Sequence, residues 1–215
     1  MRHPALQRVA RHPWFTAFGV LALAVVVLVL LWDWNWFNGP LERQVEKRTG
    51  REFDIGGDLD VDLDWVPTIR AEQVRFGNAP WSKEPTMASA DLVEFEIELK
   101  PLFRRTVRIP ELRLSQPVLK LEMGPGRVGN WKFGEPGATP AQYRRLWVDN
   151  GKLAFLDAGK KTDIKVDVDS EAPKAGEAAP PITAKGGGRW EGNRFTVEGR
   201  AASPLALRDA DSPYR

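Results

Sequence analysis

A long apolar run near the N-terminus is the strongest pattern in the sequence. From Trp14 to Trp32 there are 19 residues without a charge, and Val, Leu and Ala fill the centre of the run. At ~1.5 Å per helical residue the run is roughly 28 Å long, which matches the hydrocarbon core of a bilayer. The pattern therefore predicts a transmembrane helix over residues 14–32.

The flanks of this run predict its orientation. Arg2, Arg8 and Arg11 precede it without any acidic residue, and Asp33 follows it. Residues 1–13 are therefore predicted to form a cytoplasmic tail. The predicted membrane-interface anchors are Arg8, Arg11, Trp14, Trp32, Trp34 and Trp36. A cleaved signal peptide is the alternative, but it would need a small-residue cleavage site after the run, and the sequence offers none.

A short helix is predicted next, within a juxtamembrane segment spanning residues 33–50. Asn38 is a candidate N-cap, Pro40 suits the first turn, and Gly50 ends the helix. The apolar stripe of this helix, which includes Leu41, is narrow. We interpret it as a linker helix lying over the start of the next domain, with a lid or a membrane-surface contact as the alternative.

From residue 51 onward the apolar period changes to two, which is typical of strands with one apolar and one charged face. The predicted domain covers residues 51–215 and is mainly β, an antiparallel meander. Turn signals at Gly56-Gly57, Gln116-Pro117 and Asn150-Gly151 are interpreted as chain reversals. The residues predicted to share the apolar face are Leu59, Val61, Leu63, Val93, Phe95, Ile97, Leu99, Leu112, Leu114, Leu119 and Leu121.

A sheet with an apolar face has to cover it with helices, with a second sheet or with something else. Beyond residue 51 the sequence contains no helix with a clear apolar stripe, so the short helix before it is the only helical cover. Either the sheet closes on itself as a β-sandwich, or the apolar face lines an open groove. The residues alone leave both open, and an open apolar groove attached to a membrane would suit acyl chains.

Six short stretches form a linked series: Asn35–Glu42, Thr49–Arg51, Gly57–Leu63, Pro67–Ala71, Asn78–Trp81 and Gly129–Trp131. Together they resemble the AsmA family, bacterial envelope proteins related to chorein-like bridge lipid-transfer proteins. The resemblance is dense over residues 14–160 and thinner beyond them.

The resemblance implies a single-pass inner-membrane protein whose periplasmic domain is a curved β-groove with an apolar interior. It implies a role in moving phospholipid toward the outer membrane, or in maintaining that membrane. Phospholipid is thus the expected partner, with other envelope proteins as further candidates. Because family members are usually much longer, we expect the chain to be truncated at its C-terminus or to be a short member that needs a partner.

Composition and charge remove several other functions. The chain has no Cys, and its two His residues, His3 and His12, lie in the predicted cytoplasmic tail. The predicted periplasmic part therefore lacks a thiol or an imidazole for catalysis or zinc binding. Outside residues 1–13 there are 28 Lys and Arg against 29 Asp and Glu, which does not indicate a nucleic-acid surface. We expect no cofactor, no metal and no enzymatic activity.

Two motif-like patterns have plainer explanations. Residues 124–129 match G-x-G-x-x-G, but a dinucleotide site needs a helix opening there, and the following Asn130-Trp131-Lys132 does not begin one. We predict a turn and no nucleotide. Asp58, Asp60, Asp62 and Asp64 alternate along a predicted strand, so they are expected to form a solvated face and not a calcium loop. Two function classes remain, lipid handling in an open groove and a non-catalytic adaptor role in envelope assembly or stress regulation.

Overall fold

The computed structural model describes residues 33–102, 108–132, 142–172 and 180–201. The chain divides into two compact units, Met1–Trp34 and Asn35–Arg215, and almost all described residues lie in the second. The predicted transmembrane helix over 14–32 and the tail over 1–13 lie outside the described residues. Within the described ranges, no helix is both long and apolar enough to cross a membrane.

The predicted juxtamembrane helix is present as α1, Asn38–Thr49, directly after a 3₁₀ turn over Trp34–Phe37. Gly50 ends it in a left-handed conformation (φ 66°), and its N–H bonds the carbonyl of Glu46 at 2.7 Å. The predicted cap at Asn38 is wrong, because the 3₁₀ turn runs straight into α1 and makes the Asn38 backbone helical. Its side chain instead donates to the carbonyl of Gly57 at 3.5 Å.

The domain is mainly β, as predicted, and its described strands form one open, curved sheet and not a closed sandwich. A second helix, α2, covers only Leu99–Leu102. The strand segments are β1 Phe53–Ile55, β2 Leu59–Asp62, β3 Thr68–Gly77, β4 Thr86–Glu96, β5 Arg108–Ser115, β6 Val118–Glu122, β7 Gln142–Asp149, β8 Gly151–Asp157, β9 Thr162–Ser170, β10 Ile182–Trp190 and β11 Asn193–Ala201.

None of the three predicted chain reversals reverses the chain. At Gly56-Gly57 the chain keeps its direction, because β1 and β2 both pair antiparallel with β3. Strand β4 pairs with β5 through Leu92 and Ser115, and with β6 through Ser89 and Val118. The register is the same for both pairs. The segments β5 and β6 therefore form one long strand that is only interrupted at Gln116-Pro117. In the same way β7 and β8 continue each other across Asn150-Gly151, because both pair in register with β5 and β6.

The sheet is also not wholly antiparallel, which corrects the predicted meander. Strands β5 and β7 run parallel, and so do β6 and β8. A parallel pair needs a crossover that carries the chain back to the starting end of the first strand. Residues 123–141 form this connection, and its described part folds as a compact loop over residues 123–132.

Left-handed residues mark a line across several strands, which we call the crease. Gln73, Gln116 and Asn150 have φ angles of 52°, 50° and 53°. The strand register places these three residues at the same level of the sheet. One residue of β4 faces Gln73 on one side and Gln116 on the other. Asn150 directly follows the residue that pairs with Ser115, which itself directly precedes Gln116. Each of these residues interrupts the extended backbone of its strand without changing the register, so together they change the direction of the sheet along one line.

The crease also shifts the side-chain alternation, so that apolar residues stay on one face. Ala71 and Val74 are three residues apart, yet both contribute to a single apolar cluster with Ile55 and Leu59. This cluster is the described core of the domain, and α1 packs on its strand β1. The carboxylate of Glu42 in α1 accepts a hydrogen bond from the N–H of Ile55 at 3.0 Å.

Candidate functional site

The strand register brings most of the predicted apolar residues together on one face. Residues paired across a ladder lie on the same face of a sheet. On one side of the crease, the first row contains Val61, Ile69, Phe95, Leu112 and Leu146. The neighbouring row on that side contains Leu59, Ala71, Val93, Leu114 and Val148. On the other side of the crease, the third row contains Phe53, Phe76, Ala88, Leu119, Leu153, Val166, Gly186 and Val197. The fourth row, next to it, contains Leu121, Phe155, Ile164, Gly188 and Phe195. We call these four rows the apolar face.

Burial on the apolar face is uneven. Leu59 and Ala71 are buried, next to α1. From β4 onward the large side chains of these rows are only half-buried, including Phe95, Leu121 and Phe155, and Val197 is exposed. Among the described residues no helix or second sheet packs over these positions. The middle of the apolar face is therefore accessible from solvent.

Three predicted residues do not belong to the rows. Leu63 lies beyond the end of β2 and is 71% exposed, because the chain leaves the sheet at Asp62 to turn toward β3. Ile97 follows the end of β4, where its N–H bonds the carbonyl of Pro67 at 3.0 Å. Leu99 lies in the one-turn helix α2 and is 40% exposed. The alternation of apolar and charged residues continues past the ends of β2 and β4, so it does not show where these strands end.

The opposite face of the sheet carries a ladder of ion pairs. Its members are Asp60, Arg70, Glu94, Arg113, Glu111 and Arg145. Arg70 Nε lies 2.6 Å from Glu94 Oε2, and this hydrogen bond, with the charge of Glu94, raises the pKa of the Arg70 guanidinium above its ordinary value. The guanidinium of Arg113 also lies over the Trp147 ring, 5.6 Å from its centroid. The two faces are thus sharply different, one apolar and one charged.

A run of glycines on β10 belongs to the site and was not predicted. Gly186 and Gly188 occupy the positions in the rows opposite Val166 and Ile164. A Cβ on Gly186 would overlap the carbonyl oxygen of Lys165, and one on Gly188 that of Asp163. The backbones therefore approach more closely here than side chains allow. Three consecutive glycines within an alternating strand pattern are the signal that could have indicated it.

Three of the six stretches that carry the family resemblance, Thr49–Arg51, Asn78–Trp81 and Gly129–Trp131, meet in a buried polar cluster beside the sheet. The side chain of Asn130 is fully buried and hydrogen-bonds Asn78, and the guanidinium of Arg51 donates to the carbonyls of Asn78 and Asn130 at 3.0 and 3.4 Å. Ser82 joins the cluster through the carboxylate of Glu122 at 2.6 Å. These contacts fasten the loop after β6 to the loop after β3.

The G-x-G-x-x-G stretch is a turn, as predicted. A 3₁₀ turn over Pro125–Arg127 is followed by extended backbone, and Met123 bridges Gly129. A Cβ on Gly124 would lie 2.5 Å from the ring of Trp81, so this glycine makes room for an indole. Within the described ranges, no group of three His, Cys, Asp or Glu residues is arranged to hold a metal ion.

The predicted interface anchors are only partly described. Trp34 and Trp36 lie in the 3₁₀ turn before α1, and Trp36 is exposed. Arg8, Arg11, Trp14 and Trp32 lie outside the described residues.

Comparison with known proteins gives two matches. The model of the AsmA family matches residues 13–210. The AsmA family protein YhjG of Escherichia coli (strain K12) is 26% identical over 214 residues, a match that covers 81% of this chain and 31% of the relative. The chain thus spans about a third of the length of the relative it matches. No solved structure matches.

Proposed function

This chain belongs to the AsmA family of envelope-associated proteins, and from that premise we propose that its apolar face is a groove that binds phospholipid acyl chains. In this proposal residues 14–32 anchor the chain in the inner membrane, with the N-terminus in the cytoplasm. The sheet lies in the periplasm and takes part in phospholipid transport toward the outer membrane. The protein acts as a carrier surface and performs no catalytic step.

The half-buried middle of the apolar face is the observation that carries this proposal. Leaving apolar surface in water costs about 25 cal/mol per Å², and phospholipid chains laid along the rows would recover this free energy. The charged ladder on the other face gives the sheet only one side that suits an acyl chain. The crease supports the proposal too, because a sheet bent along one line forms a trough across its strands.

A single charge on the apolar face tests the proposal through its energetics. Phe95 lies in the row between Ile69 and Leu112. In a closed core, Phe95→Asp would bury an unpaired carboxylate and unfold a marginally stable domain. In an open groove, water reaches the carboxylate, so the fold survives while acyl chains are repelled.

The measurement is protease resistance of the full chain, together with native mass spectrometry of phospholipid that co-purifies with it from membranes. We expect Phe95→Asp to remain as resistant as the unaltered chain and to lose most of the bound lipid. Lys152→Asp is the matched control, because Lys152 is exposed and lies beside Leu153 on the opposite face. A Phe95→Asp chain that is degraded, with no lipid on the unaltered chain, would favour the adaptor role instead.

A further inference from the structure

Three apolar side chains stand in solvent at the turn between β2 and β3. Leu63 is 71% exposed, Trp65 91% and Val66 40%. Connecting turns are usually polar, so an apolar turn of this kind indicates a contact surface. We propose that this turn, which we call the apolar tip, lies in the interfacial layer of a phospholipid bilayer. The apolar tip is not part of the apolar face, and the inference does not rest on lipid binding there.

The apolar tip is fixed in place by its backbone. Asp64 Oδ1 accepts a hydrogen bond of 2.6 Å from the N–H of Trp65. Pro67 is buried, and its carbonyl accepts the bond from the N–H of Ile97 at the end of β4. The turn is therefore tied to the neighbouring strand. Its large side chains project beyond the end of the sheet without needing to reorganise before they contact a surface.

The side chains present suit the interface between lipid and water. Indole rings have an apolar body and a polar N–H, and Trp is enriched at this depth in bilayers. Leu99 in the neighbouring helix α2 is also exposed, and Lys100 beside it can reach phosphate groups. Asp62 and Asp64 exceed the single positive charge of Lys100, so burial of apolar surface drives the contact and not attraction to anionic lipid.

The described chain enters the domain at this end of the sheet. Asn35 Oδ1 accepts a hydrogen bond of 2.7 Å from the N–H of Leu59 in β2. Later in α1, Glu46 accepts one from the N–H of Phe53 in β1 at 3.4 Å. Helix α1 therefore runs along the edge of the sheet away from the apolar tip, and the chain reaches α1 from the side on which the tip lies.

Chain lengths make this contact possible. The predicted membrane span ends at Trp32, three residues before Asn35, and three residues extend at most about 11 Å. Strand β2 carries the chain from Leu59 to Asp62, about 10 Å toward the same end of the sheet, and the turn with Trp65 lies directly beyond it. Trp36, which is 59% exposed, directly follows Asn35 in the chain. Resting on the membrane anchor of the proposed function, the inference assigns the bilayer that holds residues 14–32 as the occupant of the apolar tip.

Spin labels can test this directly, because the chain contains no Cys. Single variants Trp65→Cys and Leu63→Cys of the full chain carry a nitroxide and are reconstituted into phosphatidylethanolamine–phosphatidylglycerol vesicles. Collision of the nitroxide with oxygen, which partitions into lipid, is compared with collision with a water-soluble nickel chelate. Trp190→Cys is the matched control, since Trp190 is also exposed but lies at the opposite end of the strands.

We expect the oxygen-to-nickel collision ratio to be several-fold higher at positions 63 and 65 than at position 190. We also expect this difference to persist at high salt and when the protein is diluted into excess lipid. Equal ratios at all three positions would overturn the proposal. A difference that disappears on dilution would assign the apolar tip to a second copy of the chain. A difference that disappears at high salt would show a charge-driven contact. Either result would also overturn the proposal.

Discussion

The Nδ2 of Asn130 donates a hydrogen bond of 2.9 Å to the Oδ1 of Asn78, which joins two loops 52 residues apart in sequence. The same Asn130 amide donates to the carbonyl of Lys120 at 2.8 Å and accepts from the N–H of Glu122 at 2.9 Å. With the side chain fully buried, every one of these bonds replaces water. The crossover that makes parallel pairing of β5 and β7 possible starts at this fastened loop.

Loss of the Asn130 amide should destabilise the domain strongly. Asn130→Ala leaves buried partners unsatisfied, and we expect a loss of about 2–4 kcal/mol in the free energy of unfolding. Asn130→Asp keeps the shape but removes both donors, so it should be at least as destabilising. Urea unfolding of the full chain in detergent, followed by near-ultraviolet circular dichroism, measures the change. Asn193→Ala, at the exposed start of β11, is the control and should change stability little. An Asn130→Asp chain of unaltered stability would show that the donated bonds are unimportant.

The crease predicts an unusual pattern of substitutions at Gln116. Its φ of 50° is easy for glycine and costs a non-glycine residue about 1–2 kcal/mol. Gln116→Gly should therefore leave stability unchanged or raise it, whereas Gln116→Val should lower it, because a β-branched side chain is least tolerant of this conformation. The same unfolding experiment ranks the three chains. If valine proves as stable as glycine, the left-handed conformation at this position is not required.

The crease also explains why the chain reversal predicted at Asn150-Gly151 is wrong. Asn-Gly is a strong signal for a two-residue hairpin, because both residues adopt positive φ easily. Asn150 does adopt positive φ, but inside a strand that continues in unchanged register. Positive φ at Asn150 fits both cases, although a type I′ hairpin would also need it at Gly151, which does not adopt it. Which of them occurs depends on whether the next segment pairs with the preceding one or with a distant strand, and local sequence does not contain that choice.

Other parts of the fold and site could be predicted because they depend on local pattern. The alternation around Phe95 and Leu121 correctly identifies strands and the side chains that share a face. Gly50 correctly marks the end of α1, since a left-handed cap is a local requirement. The ends of strands were less predictable. Leu63 continues the alternation of β2, yet β2 ends at Asp62 and the chain turns toward β3. The turn is held by the hydrogen bond from the N–H of Ile97 to Pro67, a contact between residues far apart in sequence.

Two glycines of the last strands should respond very differently to the same substitution. A Cβ at Gly186 would overlap the backbone of β9, whereas one at Gly199 has nothing within 4 Å. We expect Gly186→Ala to cost roughly 1–3 kcal/mol of unfolding free energy, as overpacking does, and Gly199→Ala to cost almost nothing. Thermal unfolding of both variants beside the unaltered chain measures this. Equal melting temperatures for the two variants would contradict the close approach of β9 and β10.

The central claim is that the apolar face carries phospholipid, and neighbouring residues on opposite faces test it best. Leu121 lies in a row of the apolar face, and Lys120 beside it points to the other face, where it pairs with Glu84 at 2.5 Å. A photo-crosslinking amino acid at either position leaves the rest of the strand unchanged. Both positions lie at the same point of the sheet, so local lipid concentration does not distinguish them.

The measurement is mass-spectrometric detection of phospholipid crosslinked to the full chain in living cells. The account predicts crosslinked phospholipid at position 121 and little or none at position 120. Equal crosslinking at the two positions, or crosslinking at neither while the chain is folded and present in the membrane, would contradict it.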